Sequence, residues 1–344
     1  MNRTLTTFST IVLVLIAVAV LGDAYTQYVV NLVITFAVIS IGLNIVLGFS
    51  GLLSFAHSAF VGVGAYATAI MMSSLGMPYL FALPAAGLFT AFIGVLVGLP
   101  AVRVKGLYLA LVTIACLYFF EWTFIHWDPV TNGTDGMVMP DISVFGIPLF
   151  DDLQKTYVLF PVAVLMYWVA TRLMSSRLGR SFVMVRDAEL AAQTCGINIM
   201  KARTLAFATS AFYAGVGGGM FAATVSFIDP HSFGLLQMIM LFGMVLIGGI
   251  SSLVGSLIGA VTLTVLPEFL REFQGAQEVL YGLLMIIFII YMPNGIAGLL
   301  RSKGLIQPTS LGGRKPSVSV PCHKLLGFRF LSTEALFARL RRQK

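Results

Sequence analysis

Long apolar segments follow one another along most of this chain and restrict what it can fold into. Hydrophobic residues make up 58% of the 344 residues and charged residues only 10%, whereas soluble domains carry about 25% charged residues. Several segments reach the length of about 20 residues that a helix needs to cross a hydrocarbon core of about 30 Å. The alternation with a period of two that is typical of membrane β-barrels is missing. The sequence therefore predicts an all-α integral membrane protein.

The apolar segments predict a polytopic bundle of about ten transmembrane helices. We expect them near residues 8–22, 28–47, 56–74, 79–100, 107–125, 157–174, 205–227, 235–250, 253–270 and 279–299. Two halves of five spans each would have opposite orientations because five is odd, so the pattern allows two inverted five-helix halves. Small residues four positions apart predict close helix packing at Gly94 and Gly98, Gly215 and Gly219, and Gly255 and Gly259.

The distribution of basic residues predicts the orientation of these spans. Lysine and arginine prefer the cytoplasmic side of a membrane. With the N-terminus inside, all of the 21 basic residues except Lys155 and Arg271 fall on the cytoplasmic side, and the acidic loop 126–156 falls outside. Both termini are therefore expected in the cytoplasm. The net charge of +7 then reflects orientation in a lipid bilayer, and no nucleic acid is expected as a partner.

One polar, basic segment, residues 176–203, interrupts the spans on the predicted cytoplasmic side. Its pattern predicts a short surface helix with Glu189 near the start, Ala191 and Ala192 in the middle, and Gly196 as the stop. A compact charged helix at this place indicates a docking site for another protein. Because the chain contains no G-x-x-x-x-G-K-[ST] loop for ATP, a motor that uses ATP would be a separate subunit.

Two segments rich in glycine and serine interrupt predicted spans. The first contains Gly48, Gly51, Ser54 and His57, and the second begins with Gly248 and Gly249. Non-helical backbone at membrane depth needs protein or water around it, and paired interruptions are typical of a substrate path. These residues and Asn44 are therefore candidates for lining a translocation path. The alternative is that Asn44 bonds a neighbouring helix and that His57 lies at the inner water interface.

No grouping within the spans predicts catalysis. They contain no Ser/His/Asp group, no paired carboxylates and no series of acids and bases for a proton relay, and Cys116, Cys195 and Cys322 form no C-x-x-C pair. We expect no enzyme activity, no cofactor and no metal site. An ion-coupled secondary transporter or a channel is the alternative from another mechanistic class, and it would work without partner proteins.

Several short motifs, taken in order, resemble those of one family. They are 42–48 followed by Gly51, Ser54 and His57, then 108–113, 131–136, 229–233, the glycines of 248–259, and Pro293, Gly295 and Gly298. Over about residues 35–300 the chain resembles permease subunits of branched-chain amino-acid ABC importers, and within the LivH/LivM permease family it resembles the LivM-like subunit.

The resemblance implies import of branched-chain or related hydrophobic amino acids across a bacterial inner membrane. It implies four kinds of component: this permease, a second, LivH-like permease, two ATP-binding subunits, and a periplasmic substrate-binding protein. Segment 186–198 is similar to the family's coupling loop to the ATPase, with candidate residues Arg186, Glu189, Ala191, Ala192 and Gly196. Asp135 and Asp229, on the predicted outer side, are candidates for receiving the binding protein, unless that loop is simply solvated.

Some positions depart from the family pattern. Leu52 stands where the family usually has glutamine, which leaves urea or short amides as alternative substrates. Asn132 replaces a common glycine, and Ser251 and Ser256 replace a usual glycine and proline. We expect a permease domain over 1–304, including the coupling loop 176–203 and the periplasmic loop 126–156. The basic tail 305–344 has no family match and is expected to be either disordered or, in part, an amphipathic helix on the inner leaflet.

Overall fold

The computed structural model describes residues 22–104, 106–144, 147–149, 151–270, 282–283, 286 and 295–302. The predicted span 8–22 apart from Gly22, most of the predicted span 279–299, and the predicted tail 305–344 lie outside the described residues.

Helices make up most of the described chain. In order they are α1 (Ala24–Asn44), α2 (His57–Leu75), α3 (Tyr79–Ala101), α4 (Leu107–His126), α5 (Asp128–Thr131), α6 (Asp152–Ser175), α7 (Arg177–Asp187), α8 (Glu189–Thr194), α9 (Ile199–Val225), α10 (Leu235–Gly248), α11 (Leu253–Leu270) and α12 (Gly295–Ser302). Four two-residue strands form two antiparallel pairs: β1 (Met137–Val138) with β4 (Phe227–Ile228), and β2 (Ser143–Val144) with β3 (Ile147–Pro148).

Six of the described helices are long and apolar enough to cross a membrane. They are α1 with its continuation to Phe49, α2, α3, α4, α6 and α9. Helices α10 and α11 are apolar but shorter. These helices correspond to the predicted spans between residues 28 and 270, so the all-α membrane class is confirmed. The total of about ten spans is not confirmed by the described residues.

Helix α9 lies at the centre of the described bundle. Most of the residues of α1, α2 and α9 are buried, whereas only about a third or fewer of those of α3, α4 and α6 are. A Cβ built on Gly218 of α9 would collide with the carbonyl oxygen of Val61 in α2, and one on Gly64 of α2 would collide with the backbone of Gly215. Close backbone approach of this kind stabilises helix pairs in lipid, where the hydrophobic effect between helices is weak. The predicted packing role of Gly215 is thus confirmed.

The loops gather at two ends of the bundle. At one end Met137 pairs with Ile228, and Lys155 Nζ donates to Ser226 Oγ at 3.2 Å, so loop 126–156 meets the turn after α9. At the other end, segment 176–203 meets the two predicted interruptions. The 27 residues of α9, at 1.5 Å per residue, separate these ends by about 40 Å. This grouping agrees with the predicted division of the loops, and which end faces the cytoplasm stays a prediction.

Candidate functional site

The first interruption is a π-helical turn followed by a short non-helical segment. Helix α1 continues as a π-helical turn over Ile45–Phe49, and residues 50–56 are then non-helical until α2 begins at His57. Gly51 permits this change of direction because its φ is +69°. Part of the freed backbone is satisfied by a neighbouring helix, since the N–H of Phe55 donates to Thr113 Oγ1 of α4 at 3.0 Å. The predicted break is confirmed, and the surrounding protein supplies the partner that such backbone needs.

The second interruption lies between α10 and α11 and is held by Asn44 of α1. Asn44 Nδ2 donates to the carbonyl of Ser252 at 3.0 Å and to Ser256 Oγ at 2.7 Å, and its Oδ1 accepts from the N–H of Ser251 at 2.9 Å. The side chain is fully buried. The two interruptions, which are about 200 residues apart in sequence, therefore meet at one place. Asn44 bonds a neighbouring helix, which is one of the two interpretations that the sequence left open for it.

Glycines let the two interruptions approach this closely. A Cβ at Gly48 would collide with Asn44 Oδ1 and lie 2.6 Å from the Ser251 nitrogen, and one at Gly248 would collide with the Gly255 carbonyl. Gly249 has a φ of +122°, a conformation that side chains rarely adopt. Larger residues at these positions would push the two breaks apart.

Arg186 extends from the end of α7 to both interruptions. Its Nη1 donates to the carbonyl of Gly48 and to Ser251 Oγ, each at 2.6 Å, and Ser251 Oγ in turn donates to the same Gly48 carbonyl at 2.7 Å. Its aliphatic stem lies against Gly51, where an added Cβ would be 2.6 Å from Cγ of Arg186. The segment that leaves the membrane-spanning bundle is thus bonded directly to both helix breaks.

Segment 176–203 forms two helices instead of the single short helix that the pattern predicts. Helix α7 ends at Asp187, Ala188 is non-helical, and α8 covers only Glu189–Thr194. Arg186 therefore belongs to α7 and not to the helix that begins at Glu189. The predicted start at Glu189 and the stop at Gly196 are both present, the latter with a φ of +79° and no atom within 4 Å of an added Cβ.

The residues of α8 divide between inward and outward faces. Glu189 pairs with Arg203 of α9 at 3.2 Å. Ala192 is fully buried, while Ala191 is exposed and Leu190 is 80% exposed. The methyl group of Ala192 therefore packs inside the chain, and the outward surface of α8 is formed by its neighbours.

His57 and Ser54 lie inside the bundle. The ring of His57 is fully buried, with Nε2 2.9 Å from the carbonyl oxygen of Ile39 and Nδ1 3.0 Å from Ser210 Oγ. Since a carbonyl can only accept, Nε2 carries a proton and donates to it. His57 thus links α1, α2 and α9 and does not lie at a water interface. Ser54 is also buried, with 1% of its surface exposed.

The two outer candidates differ in their surroundings. Asp135 is exposed at the end of the 3₁₀ turn Gly133–Asp135. Asp229 instead caps its own turn: Oδ1 accepts from the N–H of His231 at 3.1 Å and Oδ2 from Ser232 Oγ at 3.3 Å. Only Asp135 is therefore fully available to a partner.

Sequence inspection missed several polar residues that shape this region. Ser210 holds the ring of His57, and Arg203 pairs with Glu189. At the end of the bundle that carries loop 126–156, Asn31 of α1 donates to the carbonyl of Asp152 at 2.9 Å and accepts from Thr156 Oγ1 at 2.8 Å. A polar residue within an apolar helix was the available signal, but its partner is far away in sequence. Within the described ranges, no group of three His, Cys, Asp or Glu side chains could hold a metal ion.

Comparisons with known proteins cover both interruptions and the α7–α8 segment. The family described as branched-chain amino acid transport system / permease component matches residues 25–292. The high-affinity branched-chain amino acid transport system permease protein LivM of Escherichia coli (strain K12) is 29% identical over 320 residues, which cover 84% of this chain and 75% of that protein. LivM of Salmonella typhimurium is 29% identical over 297 residues, with 79% and 70% covered.

A second kind of relative matches more weakly. The permease protein LivH of Salmonella typhimurium is 25% identical over 291 residues, covering 77% of this chain and 91% of that protein. No solved structure matches the chain. The match over 25–292 includes most of the described helices, and the chain therefore belongs to the family of branched-chain amino acid transport system permease components.

Proposed function

We propose that this chain is the membrane-spanning permease subunit of an ABC importer that moves branched-chain amino acids into the cytoplasm. The observation that carries the proposal is the bond between α7 and the two helix breaks, in a chain that belongs to this permease family. A transporter driven by a separate motor needs such a connection, because movement outside the bilayer must reach the path within it. The substrate class is taken from the names of the relatives LivM and LivH.

The proposed assembly contains a second, LivH-like permease, two ATP-binding subunits and a periplasmic substrate-binding protein in a bacterial inner membrane. Residues 1–304 are the permease domain, with both termini, segment 176–203 and the tail 305–344 in the cytoplasm. Loop 126–156 faces the periplasm. The concentration of lysine and arginine in the loops assigned to the cytoplasm supports this arrangement. The grouping of the loops at two ends of the bundle also supports it.

Segment 186–198 is the coupling element in this proposal. The exposed side chain of Leu190 at the tip of α8, beside Ala191, suits a concave apolar groove on an ATPase subunit. Glu189 stabilises the first turn of α8 by its charge and ties it to α9 through Arg203. Gly196 then lets the chain turn back toward α9. Rocking of α7 and α8 with the ATPase would expose the path alternately to each side.

The translocation path in this proposal runs past the two helix breaks. Asn44, Gly48, Gly51, Ser54, Gly248 and Gly249 define the region, while His57 holds the surrounding helices together. Small and apolar side chains beside non-helical backbone suit a zwitterion with an aliphatic side chain, because backbone N–H groups at a helix break can receive its carboxylate.

Uptake measurements test the transport proposal. The tagged full chain would be purified from its native membrane, its co-purifying proteins identified, and the complex reconstituted in liposomes. We expect an ATPase pair, a second permease, and uptake of leucine, isoleucine or valine that needs both ATP and the binding protein. Liposomes with a non-hydrolysable ATP analogue are the control. Uptake driven by a proton or sodium gradient alone, or uptake of urea or short amides in place of amino acids, would contradict the proposal.

The outer acidic residues are proposed to guide the binding protein. Asp135 is exposed, so Asp135→Ala should lower the uptake rate and weaken its dependence on salt, because charges of this kind mainly steer encounter. Asp229→Ala should also loosen the capped turn after β4. Asp141→Ala, an exposed acid in the same loop, is the matched control. If Asp135→Ala and Asp229→Ala together leave rate and salt dependence unchanged, this docking role is wrong.

A further inference from the structure

Arg186 points away from the outward surface of α8 that would meet a motor subunit. Its guanidinium reaches inward to the Gly48 carbonyl and to Ser251 Oγ, each 2.6 Å from Nη1. Its Nε donates to Asp187 Oδ1 at 2.7 Å, and the side chain is 30% exposed. We infer that Arg186 and Ser251 form a latch that holds the two helix breaks together at the end of the bundle where α7 lies. Arg186 is then a positioning residue within the permease rather than a contact of the ATPase.

The latch joins three separate parts of the chain. Gly48 belongs to the first break, Ser251 to the second, and Arg186 to α7. Ser251 Oγ serves twice, because it accepts from Arg186 and donates to the Gly48 carbonyl at 2.7 Å. Hydrogen bonds from a charged donor are stronger than neutral ones, and linked bonds of this kind are lost together more readily than singly.

The surroundings of the latch restrict its geometry. Gly51, with a φ of +69°, leaves the space occupied by the stem of Arg186. Ser251 has a φ of +63°, so its backbone is in the left-handed region, and its N–H is held by Asn44 Oδ1 at 2.9 Å. The acceptors are therefore presented to Arg186 by backbone that is itself fixed.

The position of the latch suggests what it controls. When α7 moves relative to the bundle, the bonds of Arg186 must lengthen or carry the two breaks along. Loss of these hydrogen bonds favours the state in which the two helix breaks are apart. Removing the latch therefore shifts the conformational population of the protein toward that state. This inference rests on the proposed function for its role in transport, but the latch itself is tested without substrate or motor.

A buried thiol reports whether the breaks part. Ser54 lies in the first break and is 1% exposed, so Ser54→Cys in the full chain, with Cys116, Cys195 and Cys322 replaced, should react slowly with a membrane-impermeant maleimide in inside-out vesicles. Arg186→Gln should speed this reaction on the order of tenfold, which corresponds to about 1.4 kcal/mol. Arg180→Gln, which removes the same charge from an exposed position on α7, is the matched control and should leave the rate unchanged.

Ser251→Ala and the double variant separate the latch from a general effect on folding. Ser251→Ala should also speed labelling, and the double variant should react no faster than Arg186→Gln alone, because both changes remove one linked set of bonds. Arg186→Lys should restore part of the slow rate, since its ammonium retains charged donors. If Arg186→Gln fails to insert, Ser251→Ala alone decides the outcome.

Two outcomes overturn the latch. One is labelling of Arg186→Gln at the rate of Arg180→Gln, and the other is strictly additive effects of Arg186→Gln and Ser251→Ala. In the reconstituted complex, Arg186→Gln should also raise the ATP consumed per amino acid imported. A change in thiol labelling without any branched-chain amino acid uptake by the parent protein would retain the latch and reject the proposed function.

Discussion

Replacing Asn44 by alanine measures how much the junction of the two helix breaks contributes to stability. The amide is fully buried and makes three good hydrogen bonds, to the carbonyl of Ser252, to Ser256 Oγ and from the N–H of Ser251, at 3.0, 2.7 and 2.9 Å. Such a bond contributes about 0.6 kcal/mol between membrane helices and about 1 kcal/mol in soluble proteins. The three bonds together predict that Asn44→Ala lowers the free energy of unfolding by about 2–3 kcal/mol.

The control is a second buried asparagine in the same helix. Asn31 of α1 donates to the carbonyl of Asp152 at 2.9 Å and accepts from Thr156 Oγ1 at 2.8 Å. Asn31→Ala should therefore lower the free energy of unfolding by about 1–2 kcal/mol. Because Asn31 is remote from the breaks, this change should lower stability with little effect on uptake per folded molecule. Asn44→Ala should lower both.

The assay is reversible unfolding of the purified full chain in mixed micelles as the denaturing detergent is raised, followed by helix content. Asn44→Asp tests whether the amide is needed as a hydrogen-bond donor. Its carboxylate still accepts from the N–H of Ser251 but faces the Ser252 carbonyl without a donor, so it should destabilise at least as much as alanine. A loss below about 1 kcal/mol for Asn44→Ala, or one no larger than that of Asn31→Ala, would refute the role assigned to the junction.

Three further results are expected. A cysteine at Thr134, in a cysteine-free background, should react with an impermeant reagent added outside intact cells, and reaction only from the cytoplasmic side would reverse the predicted topology. Gly218→Leu should prevent α2 and α9 from packing and lower the yield of folded protein far more than Leu at exposed Gly76, where the added Cβ meets no atom within 4 Å and only the strain of a φ of +60° opposes the change. Gly196→Val, strained by a φ of +79° by about 1–2 kcal/mol, and Glu189→Lys, which sets a second positive charge beside Arg203, should still insert but lose uptake and substrate-stimulated ATP hydrolysis together. Normal transport by that double variant would exclude 186–198 as the coupling element.

Much of the local structure could be predicted from particular residues. The glycines of 48–51 and 248–249 marked the two helix breaks, and Gly196 marked the end of α8. Asn132 is intelligible in the same way, since its φ of +59° lies in the left-handed region that asparagine tolerates better than most residues. These predictions succeed because backbone conformation depends on a residue and its immediate neighbours.

The failures concern contacts between distant residues. The sequence placed Arg186 in the same helix as Glu189, but a break at Ala188 separates them and turns Arg186 inward. The bonds of His57 to Ser210 and to the carbonyl of Ile39 were not predicted, and its burial excludes the water interface that one interpretation gave it. Ala192 was expected to face a partner and is buried. The spacing of residues along one segment carries no information about which side a remote segment will cover.

The sequence by itself determined the all-α membrane class, the described spans and the positions of the helix breaks, because apolar length and glycine content act locally. The tertiary structure alone decided that the two breaks meet, that Asn44 joins them and that Arg186 bonds both. Those bonds connect residues 65 to 208 positions apart. They form only when α1, α7 and the α10–α11 turn have packed, since each donor and acceptor is brought within reach by helices that bury different faces.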